Sequence, residues 1–360
     1  MKKKDKTTHS GDVVSQYARY KRKKFFIGFF LVLALIAIAV YSMCAGSVRI
    51  NIGQIIDVFA RQGNKMNEII IWNIRLPRIF AAIIAGMGLA VAGCVMQCVL
   101  RNPLASPFTM GVSQGAGFGA AFALIVLNPL CANGTVLPAI LNNPYAVVLC
   151  AFLGSLIGVF IILLLAKFTG LSPQAMVLAG IAMGTLFNAA TMLLQYFAED
   201  IKVASVVFWA FGDIGRAGKS DVLAMFLITI PALVYFIRNR QEYNVLEGGE
   251  ETAKALGVNT ERLRVVGILL ASLVTSVSVA FLGIIGFIGL VAPHMMRRVV
   301  GGDHRYLIPV SAVFGGALLL GADTISRTIM SPVILPVGIL TSFMGVPLFI
   351  YLIWKKRRLY

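Results

Sequence analysis

RIFAAIIAGMGLAVAGCVMQCV, residues 78–99, carries no charged side chain after its first arginine. Hydrocarbon offers a peptide backbone no hydrogen-bond partners, so a segment that crosses a bilayer must satisfy its own N–H and C=O groups. About 20 mostly apolar residues in an α-helix do so across the full thickness. Residues 78–99 meet that length. Outward from them, comparable runs lie near residues 25–46, 106–127, 145–167, 174–197, 221–238, 263–282, 283–299, 306–325 and 333–354. The pattern predicts an all-α polytopic membrane protein of about ten transmembrane helices. The eighth run holds Gly283, Gly286, Gly289 and Pro293, which points to a short or broken helix facing protein instead of lipid. Small residues recur at helical spacing at Gly111, Gly115 and Gly119, at Gly154 and Gly158, and at Gly180 and Gly184, as ridges that let helix backbones approach closely.

Composition agrees. Of 360 residues, 58% are hydrophobic and 13% charged, against roughly 45–50% and about 25% in ordinary soluble domains. That leaves residues 1–24 as a basic cytoplasmic tail and 25–360 as one transmembrane domain. The segment from Phe25 to Gly46 follows a basic run, as a secretory signal would, yet its apolar stretch exceeds the usual signal core and more spans follow. It reads as an uncleaved first helix. With both termini inside, 23 of the 32 Lys and Arg fall on the inner side, as the positive-inside rule requires. The net charge of +17 then reflects topology and attraction to membrane lipid, and no nucleic-acid partner is needed. Trp72, Trp209 and Trp354 fall near expected interfaces, where an aromatic belt would place them.

The chemistry-bearing residues are few. Cys44, Cys94, Cys98, Cys131 and Cys150 lack metal-type spacing, so neither a metal site nor a disulfide framework nor a cofactor is indicated. Cys94 and Cys98 share a helix face as packing residues. Gly212 to Ser220 imitates a phosphate loop, but Asp213 stands where that pattern needs glycine, so the chain has no ATPase site of its own and is not an enzyme. His9, His294 and His304 converge on nothing catalytic. An ion-coupled secondary transporter, the alternative reading, would bury carboxylates or histidines along its path. Only Asp323 sits inside a span, near its outer end, with Arg327 one turn on to pair with it. Gln97, Asn188 and Gln195 are scattered among Gly, Ala, Ser, Thr and aliphatic residues, which suits a wide, non-sticky conduit driven from outside the chain.

Two polar features stand out. RLPR, Arg75 to Arg78, places two arginines on the outer face against the charge rule, either for headgroup contact or for docking an acidic partner. On the inner side the insert of about 247–260 includes EGGEETAKALGV, Glu247 to Val258. Glu250 to Leu256 reads as a short surface helix with acids at its N-terminus, either a solvated connector or a coupling element seated in a cytosolic partner.

In order along the chain stand RLPR at Arg75, MQCVLRNPLASP at Met96, GVSQGAGFGA at Gly111, GEETAKALGV at Gly249, GFIGLVAPHMMR at Gly286, GGDHR at Gly301, ADTISR at Ala322 and LPVGILTSFMGVPLFIYLI at Leu335. With these blocks the chain resembles the permease subunits of type II ABC importers for iron siderophores, haem and cobalamin. The resemblance implies that permease fold, a second copy of the chain around a shared pathway, two cytosolic ABC ATPase subunits and an external substrate-binding protein, in a bacterial or archaeal cell membrane. By motif, the family's outer docking arginines map to Arg75, Arg78 and Arg327. Its ATPase-coupling helix maps to the segment with Gly249, Glu250, Ala253, Ala255, Leu256 and Gly257. One departure is Gly248, preceded by Glu247, where the family commonly has leucine. Iron chelates, as the family's commonest cargo, are the expected substrate.

Overall fold

The computed structural model describes residues 7–46, 48–127, 144–168 and 172–356. The chain opens with α1 (Thr7–Cys44), followed by two short helices, α2 (Ile52–Phe59) and α3 (Lys65–Ile69). A π-helical turn over Ile70–Arg75 joins α3 to α4 (Leu76–Val99), giving one 35-residue rod about 52 Å long at 1.5 Å per residue. A non-helical stretch leads to α5 (Val112–Phe122), which ends in a second π-helical turn, Ala123–Leu127. After it come α6 (Pro144–Phe168), α7 (Pro173–Tyr196) and α8 (Asp200–Ala210). Beyond a tight turn lie α9 (Lys219–Arg238) and two short helices, α10 (Arg240–Glu247) and α11 (Glu250–Ala255). The chain closes with α12 (Thr260–Leu282), α13 (Ile288–Val300), α14 (His304–Thr328) and α15 (Val337–Lys356). Among the described residues, seven helices are long and apolar enough to cross a membrane, and shorter apolar helices complete the set.

The core forms around α4, which is buried on nearly every side. Its glycines explain how. A Cβ on Gly86 would lie 2.3 Å from the Gly315 carbonyl oxygen of α14, and one on Gly93 would lie 1.6 Å from the Gly289 oxygen of α13. Backbone thus meets backbone, and dispersion at that closeness replaces the hydrophobic drive that lipid cannot supply. The expected ridges behave the same way. Gly115 meets Gly154, Gly119 meets Cys150, and Gly180 meets Met110, so α5 is clamped between α6 and α7 on glycine faces. Cys94 and Cys98 are packing residues on α4, buried and free.

Several expected boundaries move, each for a local reason. The helix of the first span continues back to Thr7 through the residues expected to be a separate tail, because that basic run contains no helix breaker besides Gly11. The third span begins at Val112 rather than 106. Pro103 and Pro107 interrupt the ladder, Gly111 sits at φ +74°, and Ser106 and Thr109 bond reciprocally to each other's backbone N–H. The eighth run is the 13-residue α13, preceded by a break at 283–287 with Gly283 and Phe287 both at positive φ. Trp72 is exposed as an interfacial residue would be, but Trp209 is buried against Ala116 and Val279 and belongs to the interior, not the belt. Cys131 lies outside the described residues, as does the side chain of Trp354.

The glycine contacts generate a direct test. Gly93→Val must push α13 off α4 and should cost about 1–3 kcal/mol or more, seen as loss of monodisperse protein and a lower unfolding temperature in detergent. Gly321→Ala, where a Cβ meets nothing within 4 Å, should behave as the parent. Equal stability of the two variants would remove the close approach as an organising contact.

Candidate functional site

Non-helical backbone within a membrane must be satisfied by protein or by water, and here three such stretches gather on one cavity. The loop before α5 contributes Ser106, Phe108 and Thr109, the turn after α8 contributes Phe211, and the break before α13 contributes Ile284, Gly286 and Phe287. With α5, α7, α8 and α15 they line an open cavity of about 1050 Å³. Its lining includes Gln114, Asn188, Thr191, Gln195 and Ser342 beside aromatic and aliphatic groups and, among the described residues, no charged side chain. Asn188 and Gln195, singled out as polar residues in spans, thus face this cavity, whereas Gln97 is buried on α4 and donates to the Leu290 carbonyl oxygen at 3.4 Å. The volume exceeds the roughly 300–1,000 Å³ typical of small-molecule pockets, and its neutral hydroxyl and amide groups can solvate a bulky cargo without holding it by charge.

At one end of the bundle, Arg75, Arg78 and Arg327 come together. Arg78 forks onto Asp323, with Nε at 2.9 and 3.1 Å and Nη2 at 2.8 Å from its carboxylate oxygens. Arg327 reaches the same carboxylate at 3.1 Å and also donates to the Ser42 hydroxyl and the Ala45 carbonyl oxygen. Arg75 donates to the carbonyl oxygens of Met43, in the last turn of α1, and Val48, in the loop beyond it. All three arginines are buried, and Asp323 has no exposed surface. The expected Asp323–Arg327 pair is therefore present, but it is one arm of a cluster that staples α1, α4 and α14. The sequence held a signal for the missing arm: a carboxylate inside a span requires a cation, and Arg78 begins the adjacent apolar run. Asp213, with its side chain 41% exposed, sits at the cluster's rim 3.4 Å from Arg78.

The opposite end holds α10 and α11 in a polar clasp. Glu250 bonds Arg264 at 2.9 Å and Lys254 at 3.2 Å. Arg264 is almost fully buried and donates to the Val99 carbonyl oxygen at 3.2 Å, tying the end of α4 to α11 through the start of α12. The hydrogen bond from Arg264 holds the Glu250 carboxyl below its ordinary range. Asn244 of α10 donates to Asp303 at 2.8 Å and accepts from the His304 backbone N–H at 2.7 Å, while Glu247 pairs with Arg297. Burial alone would raise the Asp303 carboxyl, but bonds from Arg305 and Asn244 bring it down to about 2. Sequence reading gave no role to Asn244, Arg264 or Asp303, because the bonds that tie the clasp to the bundle, Asn244 to Asp303 and Arg264 to Val99, join residues 59 and 165 apart in the chain. Of the expected coupling residues, Ala253 is buried under the clasp, Leu256 is 66% exposed, and Gly257 turns at φ +82° with open space around it. A second cavity of about 710 Å³, lined by Arg101, Asn102 and Gln174, opens beside Glu250.

Comparison with known proteins places this geometry. The profile of the FecCD transport family matches residues 33–355. An ABC transporter permease protein of Methanocaldococcus jannaschii is 56% identical over 344 residues, 96% of this chain and 98% of that one. The hemin transport system permease of Yersinia pestis is 36% identical over 335 residues, covering 92% and 96% of the two chains. Other relatives are permeases for vitamin B12 and for iron(3+)-hydroxamate. A solved structure described as an inward-facing conformation of a metal-chelate type ABC transporter superposes with a TM-score of 0.80 at 31% identity, over 91% of this chain and 99% of that one.

Asp323→Asn leaves two buried guanidinium groups short of their shared anion, and breaking such a pair costs about 3–5 kcal/mol. Purified variant protein should unfold at a clearly lower temperature than the parent. An unchanged unfolding temperature would show that the cluster does not clamp the helix ends.

Proposed function

The chain belongs to the FecCD transport family, and on that premise we propose that it is the membrane permease subunit of an ATP-binding-cassette importer, carrying an iron chelate delivered by an external binding protein. The observation that carries this reading is the clasp. α11 presents Leu256 and Gly257 outward while Glu250, Arg264 and the Val99 carbonyl oxygen fasten it to α4 and α12. A helix so fixed can deliver a rigid-body push from a cytosolic ATPase to α4 and α12, on which α13 and α5 of the cavity wall pack.

In this assembly the clasp end is cytoplasmic, as are both termini, and the arginine end faces outward. The uncharged cavity is half of a pathway completed by a second copy, because α7, α8 and α15 leave large apolar side chains such as Met192, Phe208 and Phe343 exposed beside it. Two ATPase subunits then serve two permeases. The external protein docks on the face built over Arg75, Arg78 and Arg327. Their burial makes them the rigid floor of that face, with Arg49, Arg61 and Lys219 exposed around them. The relatives named for hemin, vitamin B12 and iron(3+)-hydroxamate define the cargo class, and within it an iron chelate is the proposed cargo on the strength of the hemin and iron(3+)-hydroxamate permeases. A proton relay finds little support: Asp323 is held by two arginines away from the cavity, and no carboxylate or histidine among the described residues lines it.

Leu256→Asp and Gly257→Trp test the coupling role. Leu256 is open to solvent, so Leu256→Asp should fold and insert as the parent does; Gly257→Trp has room but puts a side chain on backbone at φ +82°, a local strain of about 1–2 kcal/mol, so Leu256→Asp carries the test. In it ATPase co-purification or stimulated hydrolysis and chelate uptake should fall at least about tenfold, the loss of about 1.4 kcal/mol at an interface. Parent-like assembly and uptake in both variants would make α11 a mere connector.

A further inference from the structure

The turn between α8 and α9 touches both the arginine cluster and the cavity, and Asp213 is where the two meet. Its backbone N–H donates to the Leu282 carbonyl oxygen at 2.7 Å, at the end of α12. Its side chain accepts the Gly215 N–H at 2.8 Å and faces Arg78 at 3.4 Å. Arg216, three residues on, donates to the carbonyl oxygens of Phe208 and Trp209 and so closes the end of α8. The turn is therefore one piece with α8, tied on one side to the cavity wall and on the other to Arg78.

The cavity wall at this place is unusually close-built. A Cβ on Gly212 would lie 2.5 Å from the Ile284 oxygen, one on Gly283 would lie 2.5 Å from the Trp209 oxygen, and one on Gly338 would lie 2.3 Å from the Phe211 oxygen. The end of α8, the break before α13 and the start of α15 thus touch backbone to backbone, and Phe211, Ile284 and Gly338 from this knot line the cavity. The knot lies between the cavity and the turn that carries Asp213.

We propose that Asp213 is the detachable link between the arginine cluster and this roof: while its carboxylate holds Arg78 the turn is seated and the cavity is shut at that end, and its release frees the turn and α8 together. The two partners of Arg78 are unequal in a way that suits this. Asp323 is buried, forked and permanent, whereas Asp213 is part-exposed, longer and shares one nitrogen with it. Part-exposed pairs hold only weakly, so this arm can open without disturbing the staple beneath. Asp213 is in this view a positioning residue. The proposal takes from the functional reading only that the cavity is the path.

Hydrogen–deuterium exchange on the purified permease–ATPase complex in nanodiscs tests it, with peptides covering 208–218 and 283–287 as reporters and α4 as the internal control. Asp213→Asn keeps an oxygen for the Gly215 N–H and removes only the charge. It should speed exchange in both reporters by about two- to fivefold, the range a pair of this kind supports, and leave α4 unchanged. Asp213→Glu keeps the charge and should stay near the parent. Gly215→Ala, whose Cβ would lie 2.5 Å from Arg78 Nη1, should wedge the turn away and match Asp213→Asn. Parent-like exchange in both Asp213→Asn and Gly215→Ala would overturn the link, as would fast exchange in Asp213→Glu with slow exchange in Asp213→Asn, which would assign the effect to the turn's own bond. A rise that includes α4 would mean general loosening and would also overturn it. Exchange requires no transport assay, so failure of chelate uptake in the parent would strike the proposed function and not the link.

Discussion

Backbone contact between α4 and its neighbours at Gly86 and Gly93 is the constraint on which the molecule rests. Lipid tails solvate apolar side chains as well as other helices do, so burial alone cannot hold such a bundle together. Glycine faces bring α13 and α14 onto α4 at distances no side chain would permit, and the charged groups then close the two ends. At one end Arg78, at the start of α4, is held by Asp323. At the other, the Val99 carbonyl oxygen that ends α4 is held by Arg264 and, through it, by Glu250. A single helix therefore joins the two surfaces where partners of an importer would act.

This division of labour explains where charge is tolerated. The buried ion pairs sit at the helix ends, Arg78 with Asp323 and Arg264 with Glu250, and among the described residues the cavity is left to hydroxyls, amides, aromatic rings and aliphatic groups. Irregular backbone is spent on the cavity: the loop before α5, the turn after α8 and the break before α13 all open onto it. Such segments can change shape more readily than a hydrogen-bonded helix, so the wall of the path is built from the parts best able to move, mounted on a rod that is not.

The apolar runs and the glycine ridges were legible in the sequence because both are local and periodic. The broken eighth span was legible from its glycines and Pro293, and the Asp323–Arg327 pair from its one-turn spacing. What was hidden is long-range. Arg78 and Asp323 are 245 residues apart, and Asn244 and Asp303 are 59 apart, so no periodicity connects them. Trp209 read as an interfacial residue because α8 is amphipathically featureless and lies between charged stretches. Its burial depends on α5 and α12 closing over it. The three arginines were found as a set, but their inward orientation follows from the acceptors at the end of α1 and from Asp323, and these are visible only once the helices are packed.

The central claim is that this chain is a passive path worked by an ATPase outside it. The most direct measurement is chelate uptake into proteoliposomes holding the permease with its ATPase and binding protein, with ATP inside or outside the lumen as orientation requires, and with the proton gradient collapsed by a protonophore. The account predicts uptake that stops without ATP and persists without the gradient. Uptake that continues without ATP and disappears with the gradient would contradict it.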